Sequence, residues 1–130
     1  MDKLYVVEHQ EEFEGYHLVV VFNRAFRCGY VGLPKGHEHE KKHYDDIDVD
    51  VHGGLTYSSI AHDLWAKDGY HWYLGFDCAH LEDGVDVKTM KEYGATDELI
   101  NTWQHLDGEV RTKEYVLNEL KNIVKQLKGE

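Results

Sequence analysis

Hydrophobic positions recur with a period of two between Tyr16 and Asp77 and at three- and four-residue spacing after Gly84, a change that predicts strands first and helices afterwards. Leu4 to Val7 is a short β-prone segment followed by the acidic stretch Glu8 to Glu14. Tyr16 to Phe22, with the centre L-V-V-V-F, has the unbroken apolar character of a buried central strand. Asn23-Arg24-Ala25 reads as a tight connection into Phe26 to Gly32, where Phe26, Cys28 and Tyr30 share a face, so a hairpin is expected. Asp46, Asp48, Asp50 and His52 alternate with Ile47, Val49 and Val51, the pattern of a half-buried strand. Gly53-Gly54 then marks a bend or bulge, and Leu55 to Tyr57 resumes as strand. Tyr70 to Asp77 alternates again, with Trp72, Leu74 and Phe76 on one side and His71, Tyr73 and Asp77 on the other.

Helical composition predicts helices over Val87 to Tyr93 and Glu98 to His105. A last helix follows Thr112 as its cap, with a stripe of Val116, Leu120, Ile123 and Leu127 joined by Leu117 and Val124. The expected fold is a single α+β domain over residues 1–130, strand-rich in 1–84 and helical in 85–130: an antiparallel sheet of about five strands with C-terminal helices packed on it. Between the strands, P-K-G-H-E-H-E-K-K-H-Y from Pro34 to Tyr44 has no apolar period and reads as an exposed loop.

Charge narrows the partners. Twenty-five acidic against fourteen basic side chains give 130 residues a formal net charge of -11, which argues against direct nucleic-acid binding and admits a basic protein partner. The 10 histidines would shrink that charge in mild acid. Cys28 and Cys78 are too few for a disulfide framework, the N-terminus has no apolar leader core, and the longest apolar run, Leu18 to Phe22, is strand length, so a cytoplasmic protein outside the membrane is expected.

Candidate chemistry gathers in V-H-G-G-L-T at Val51 to Thr56 and G-F-D-C-A-H at Gly75 to His80. His52, Asp77, Cys78 and His80 are the catalytic candidates, either as a Cys78 thiolate with a histidine base oriented by Asp77 or as histidine acid and base alone. Parity argues against the thiolate, because Cys78 shares the side of Trp72, Leu74 and Phe76, and Cys28 lies between Phe26 and Tyr30. A divalent metal is the other option, drawn from Asp48, Asp50, His52, Cys78 and His80; solvent or salt bridges compensate the aspartate ladder more simply, and the metal is not favoured. For a ligand, Gly53 and Gly54 permit close backbone approach, and Arg27, with Arg24 in the same hairpin, could balance an anionic group.

The ordered series F-R-C-G-Y-V-G-L-P-K-G-H at Phe26 to His37, Y-D-D at Tyr44 to Asp46, V-H-G-G-L-T-Y-S at Val51 to Ser58 and G-F-D-C-A-H at Gly75 to His80 resembles a family of small proteins on phage and other mobile genomes of Gram-positive bacteria, for which no activity is established. Relatives read G-H-P where this chain has Gly36-His37-Glu38-His39-Glu40, so the resemblance gives that loop no role. It implies an accessory role against host defence. The expected function is therefore binding of a small polar or nucleotide-like ligand, sequestering a defence signal, through Arg27, His52, Gly53, Gly54, Asp77 and His80. The alternatives are a hydrolase acting on such a ligand, with or without metal, and an acidic module that blocks a basic host protein through Asp45 to Asp50 and Glu8 to Glu14. Paired sites across a homodimer are compatible with so small a sheet.

Overall fold

In the computed structural model, which describes residues 5–80, 82–104 and 108–129, the strand-period segments pair into one antiparallel sheet. Its strands are Tyr5–Phe13 (β1), Tyr16–Asn23 (β2), Phe26–Pro34 (β3), Tyr57–Ser59 (β4) and Tyr70–Asp77 (β5), in the spatial order β1-β2-β3-β5-β4. Asp83–Gly84 (β6) and Glu109–Val110 (β7) form a separate parallel pair. The helices are Val87–Glu92 (α1), Asp97–Trp103 (α2) and Lys113–Leu127 (α3). The fold is α+β, with the C-terminal helix on the sheet.

The unbroken apolar run of β2 follows from burial on both faces. Leu18 and Val20 meet α3, which contributes Val116, Leu120, Ile123 and Val124 from the stripe read in the sequence. Val19 and Val21 pack on the opposite face with Trp65 and Tyr73. Trp65 anchors the segment after β4 there: its ring stacks on Tyr30 with centroids 4.6 Å apart, and its Nε1 donates to the Tyr5 hydroxyl. Close packing of α3 requires Gly29, because a Cβ at that position would stand 2.8 Å from side-chain atoms of Leu120 and Phe76. At the β2–β3 turn, Phe22 and Ala25 bury against Met90 of α1 and Ile100 of α2.

Two expectations change. The first strand runs through the acidic stretch to Phe13, because β1 gives its carboxylates internal partners: Glu8 accepts from Arg27 at 2.6 Å and Glu12 from the Tyr70 hydroxyl at 2.8 Å. A register shift between Val7 and His9 marks a bulge at Glu8. Conversely, residues 46–52 are not a strand. Tyr44–Asp46 is one 3-10 turn, and the alternation beyond it is burial without pairing: Ile47 and Val51 enter the core beside α3 and Val49 packs partly against it, while Asp48 and Asp50 stay exposed. A side chain replaces the missing strand partner, for Gln126 of α3 accepts from the Asp50 N–H and donates to its carbonyl, both at 2.7 Å. Among the described residues no helix is long and apolar enough to cross a membrane.

Candidate functional site

His52 stands at the start of the turn closed by the Gly54 N–H on the Val51 carbonyl, with Gly53 and Gly54 both at positive φ. Beyond the end of β5, His80 begins a second turn, in which the Asp83 N–H donates to the His80 carbonyl and the His80 N–H returns to the Asp83 carboxylate. Parallel pairing of β6 with β7 then sets Arg111 beside Asp83, and the first turn of α3, capped by Thr112, presents Tyr115. Five side chains from three separate stretches of chain, His52, His80 with Asp83, and Arg111 with Tyr115, thus meet around one carboxylate.

Asp83 is the hub, with its side chain fully buried. Its Oδ2 lies 3.0 Å from His52 Nε2, 3.2 Å from His80 Nδ1 and 3.0 Å from the His80 N–H, while Oδ1 accepts from Arg111 Nε at 2.8 Å. Burial opposes the charge, but the hydrogen bonds from His52, Arg111 and the His80 backbone outweigh it and bring the carboxyl down to about 2. An ionised carboxylate only accepts, so both facing ring nitrogens must carry protons. Neutral His52 is therefore the Nε2–H tautomer, whose Nδ1 accepts from the Tyr115 hydroxyl at 2.9 Å. Neutral His80 is the Nδ1–H tautomer, which leaves the lone pair on Nε2. The two rings differ in access: the His52 side chain is 7% exposed and that of His80 is 32% exposed. Gly53 allows the rings to approach, since a Cβ there would fall 2.3 Å from His80 Cε1.

Asp77 borders this cluster. Its Oδ1 accepts from the Ala79 N–H and lies 3.8 Å from His80 Nε2, and its Oδ2 accepts from Thr56. Cys78 points away into the core with Leu74 and Phe76, and burial raises its thiol far above the ordinary range; burial likewise pushes Cys28 up to about 12. Both thiols are protonated at neutral pH, so neither supplies the thiolate considered from the sequence. Asp48 and Asp50 do not join the histidines. The group of metal-ligating side chains that converges among the described residues is His52, His80 and Asp83, with ligand atoms within 4.8 Å of one another.

Arg27 is committed to internal partners and lies apart from the His52–His80–Asp83 cluster, on a hollow of about 360 Å³ shared with Glu8 and Asp86. Its guanidinium is buried under Phe22, where it donates to Glu8, Asp86, Thr89 and the Arg111 carbonyl. Burial works against its charge and the Glu8 and Asp86 carboxylates more than restore it. It clamps β1, α1 and the segment before α3, and the Glu8 and Asp86 carboxylates already balance its charge. Sequence reasoning missed Asp83, Arg111 and Tyr115. Only Asp83 left a local trace, three residues after His80, whereas the other two reach the site through the β6–β7 pairing and the α3 cap.

Elsewhere a hollow of about 560 Å³ is lined by Lys35, Glu40, Lys41, Ile60, His71 and Trp72, and none of the His52, His80 and Asp83 side chains belongs to that lining. In comparisons with known proteins the chain matches no family model, no curated protein and no solved structure.

Proposed function

We propose that this chain binds a small polar ligand at the His52–His80–Asp83 face, with His80 Nε2 as the nitrogen offered to it. One observation carries the reading: a fully buried Asp83 holds Nδ1 of His80, while Nε2 of the same one-third-exposed ring lies 3.8 Å from Asp77, which is also partly exposed. Such an arrangement pre-organises a hydrogen-bond acceptor and holds an imidazole that can take and return a proton. The surrounding charge favours a ligand without phosphate. Asp77 and Glu119 border the cluster, and Arg111 is held by Asp83 and Glu109. The nucleotide-like part of the expectation loses its support with Arg27.

A second reading, hydrolysis by His80 as general base, rests on the same Asp83–His80 pair, because a carboxylate behind an imidazole stabilises the imidazolium that forms when the ring removes a proton from water. Sequestration of a defence signal, the role suggested by the likeness to phage proteins, would use the same face without turnover. The acidic-module reading has less support, since Glu8 is buried against Arg27 and Glu12 is tied to the Tyr70 hydroxyl, which leaves the exposed aspartates of the Asp45 to Asp50 segment and the Glu12–Glu14 edge to meet a partner.

The test is an NMR titration of labelled protein against nucleosides, nucleotides, sugars and polyamines, with product sought in each mixture. A binder should shift His80, Gly53 and Asp77 together and lose its effect in His80→Ala, and product in excess of protein selects the hydrolase. Perturbation confined to the Lys35–Trp72 hollow, or binding unchanged in His80→Ala, refutes the assignment.

A further inference from the structure

We infer that His52, His80 and Asp83 form a binding site for one divalent transition-metal ion of the zinc class, an inference that rests on this face being the functional site. Ligand bonds of about 2.0–2.1 Å at tetrahedral angles set neighbouring ligand atoms about 3.3 Å apart. Asp83 Oδ2 lies 3.0 Å from His52 Nε2 and 3.2 Å from His80 Nδ1, close to that spacing, while the three ligand atoms together lie within 4.8 Å of one another, so an ion is bound once the two imidazoles draw together around it. Two imidazoles and one carboxylate are a donor set suited to such an ion, and three protein ligands leave a position for water or a ligand.

The outer partners are the second and independent observation. Metal-bound histidines and carboxylates are held from behind by further hydrogen-bonding groups, which orient them and set their tautomer. Two of the three ligands have such a group in hydrogen-bond contact, the Tyr115 hydroxyl at 2.9 Å on His52 Nδ1 and Arg111 Nε at 2.8 Å on Asp83 Oδ1, and the third has the Asp77 carboxylate 3.8 Å from His80 Nε2. Asp77 is itself fixed in place, accepting from the Ala79 N–H and from the Thr56 hydroxyl, so its carboxylate is pre-set beside the free nitrogen of His80. The entrance is the partly exposed edge formed by His80 and Asp77, both about one-third exposed, and its negative charge attracts a cation.

Coordination reverses both tautomers. The ion displaces the proton on His52 Nε2, and neutral His52 takes one on Nδ1, from which it donates to the Tyr115 oxygen. His80 likewise gives up its Nδ1 proton and takes one on Nε2, facing Asp77, so in the metal-bound state His80 Nε2 donates and the ion's open position takes over as the point that meets a polar ligand. No net proton is released from neutral rings, one is released from each ring that was an imidazolium, and Asp83 has none to lose.

The experiment is titration of the full chain with Zn²⁺ followed by equilibrium dialysis and by long-range ¹H–¹⁵N spectra of the histidine rings, with Co²⁺ absorption as a second reporter of coordination. The expected result is one equivalent of Zn²⁺ per chain, reversal of the His52 and His80 tautomers, and at least a tenfold loss of affinity in His80→Ala and Asp77→Asn, with His43→Ala unchanged. Asp77→Asn guards against a folding artefact, because it removes an outer partner and keeps all three ligands. The inference is overturned by absence of stoichiometric Zn²⁺, by tautomers that do not change, or by binding that disappears with His37, His39 or His43 of the exposed loop instead. The broader reading fails separately: a polar ligand that binds or turns over identically in chelator leaves the His80 site standing without the metal, whereas Zn²⁺ bound with the stated signature and no response to any polar ligand leaves the metal site standing alone.

Discussion

Replacing Asp83 with Asn removes the charge on which the site is built while keeping the side chain's size. The folded carboxyl stands at about 2 against an ordinary 3.8, a gap of 3.8 − 2, or about 1.8. At roughly 1.36 kcal/mol per pH unit, this corresponds to about 2.5 kcal/mol of stability at neutral pH. Because the folded value lies below the ordinary one, that stabilisation is complete above about pH 5 and is lost as pH falls toward 2; near pH 3 roughly half remains. Asn also leaves Arg111 without its carboxylate and presents an N–H₂ where an acceptor is needed, so the total cost at pH 7 should be about 3 kcal/mol. Urea unfolding of the wild type and Asp83→Asn between pH 7 and pH 2.5 reads this directly. The gap between the two proteins should narrow by at least 1 kcal/mol on acidification. A gap below about 0.5 kcal/mol at pH 7, or one that stays constant with pH, refutes the description of Asp83 as a buried ionised hub.

Three further outcomes follow from the same geometry. His52→Ala should cost about 2–3 kcal/mol in urea unfolding, since it leaves Asp83 and Tyr115 short of a partner at a buried position, while the more exposed His80→Ala should cost about 1 kcal/mol; equal costs contradict the distinction between a supporting and a presenting ring. Gly53→Ala should cost about 2 kcal/mol and displace the His80 ring resonances, because its φ of 68° and a Cβ contact of 2.3 Å both resist a side chain; unchanged ring shifts would remove the close approach from the account. Gln126→Leu keeps the bulk of the side chain but loses both backbone hydrogen bonds to Asp50, so the Asp50 amide should lose at least tenfold of its hydrogen-exchange protection relative to distant core amides, and retained protection would mean that another group holds that segment.

What the sequence made legible is what repeats locally. The α3 stripe and the β2, β3 and β5 runs carry their burial in their own period, and the parity that places Cys78 with Leu74 and Phe76 reads the same way in the core. The Asp46 to His52 alternation was legible as burial and misleading as pairing, because a period of two records which side chains go inward and says nothing of whether a strand or a Gln126 side chain takes up the backbone bonds. Glu8 to Glu14 looked like a strand terminator only while the partners of Glu8, which are Arg27 and Tyr93, were out of view. For the site, the two motifs located His52 and His80, and the residue that joins them lay just beyond the second. Arg111 and Tyr115 belong to no local pattern at all, since their approach depends on a two-residue parallel pairing and on the direction in which α3 begins. Arg27 shows the converse: one of three arginines in an acidic chain invites an anionic ligand, and the fold supplies it with Glu8 and Asp86.

The central claim is that a buried, ionised Asp83 sets the two imidazoles in opposite tautomers and turns His80 Nε2 outward. A long-range ¹H–¹⁵N correlation spectrum of the metal-free protein, at a pH where both rings are neutral, tests it most directly. The account predicts a proton on Nε2 of His52 and on Nδ1 of His80, with an unprotonated His80 Nε2; a His80 ring protonated on Nε2, or two rings with the same tautomer, would contradict it.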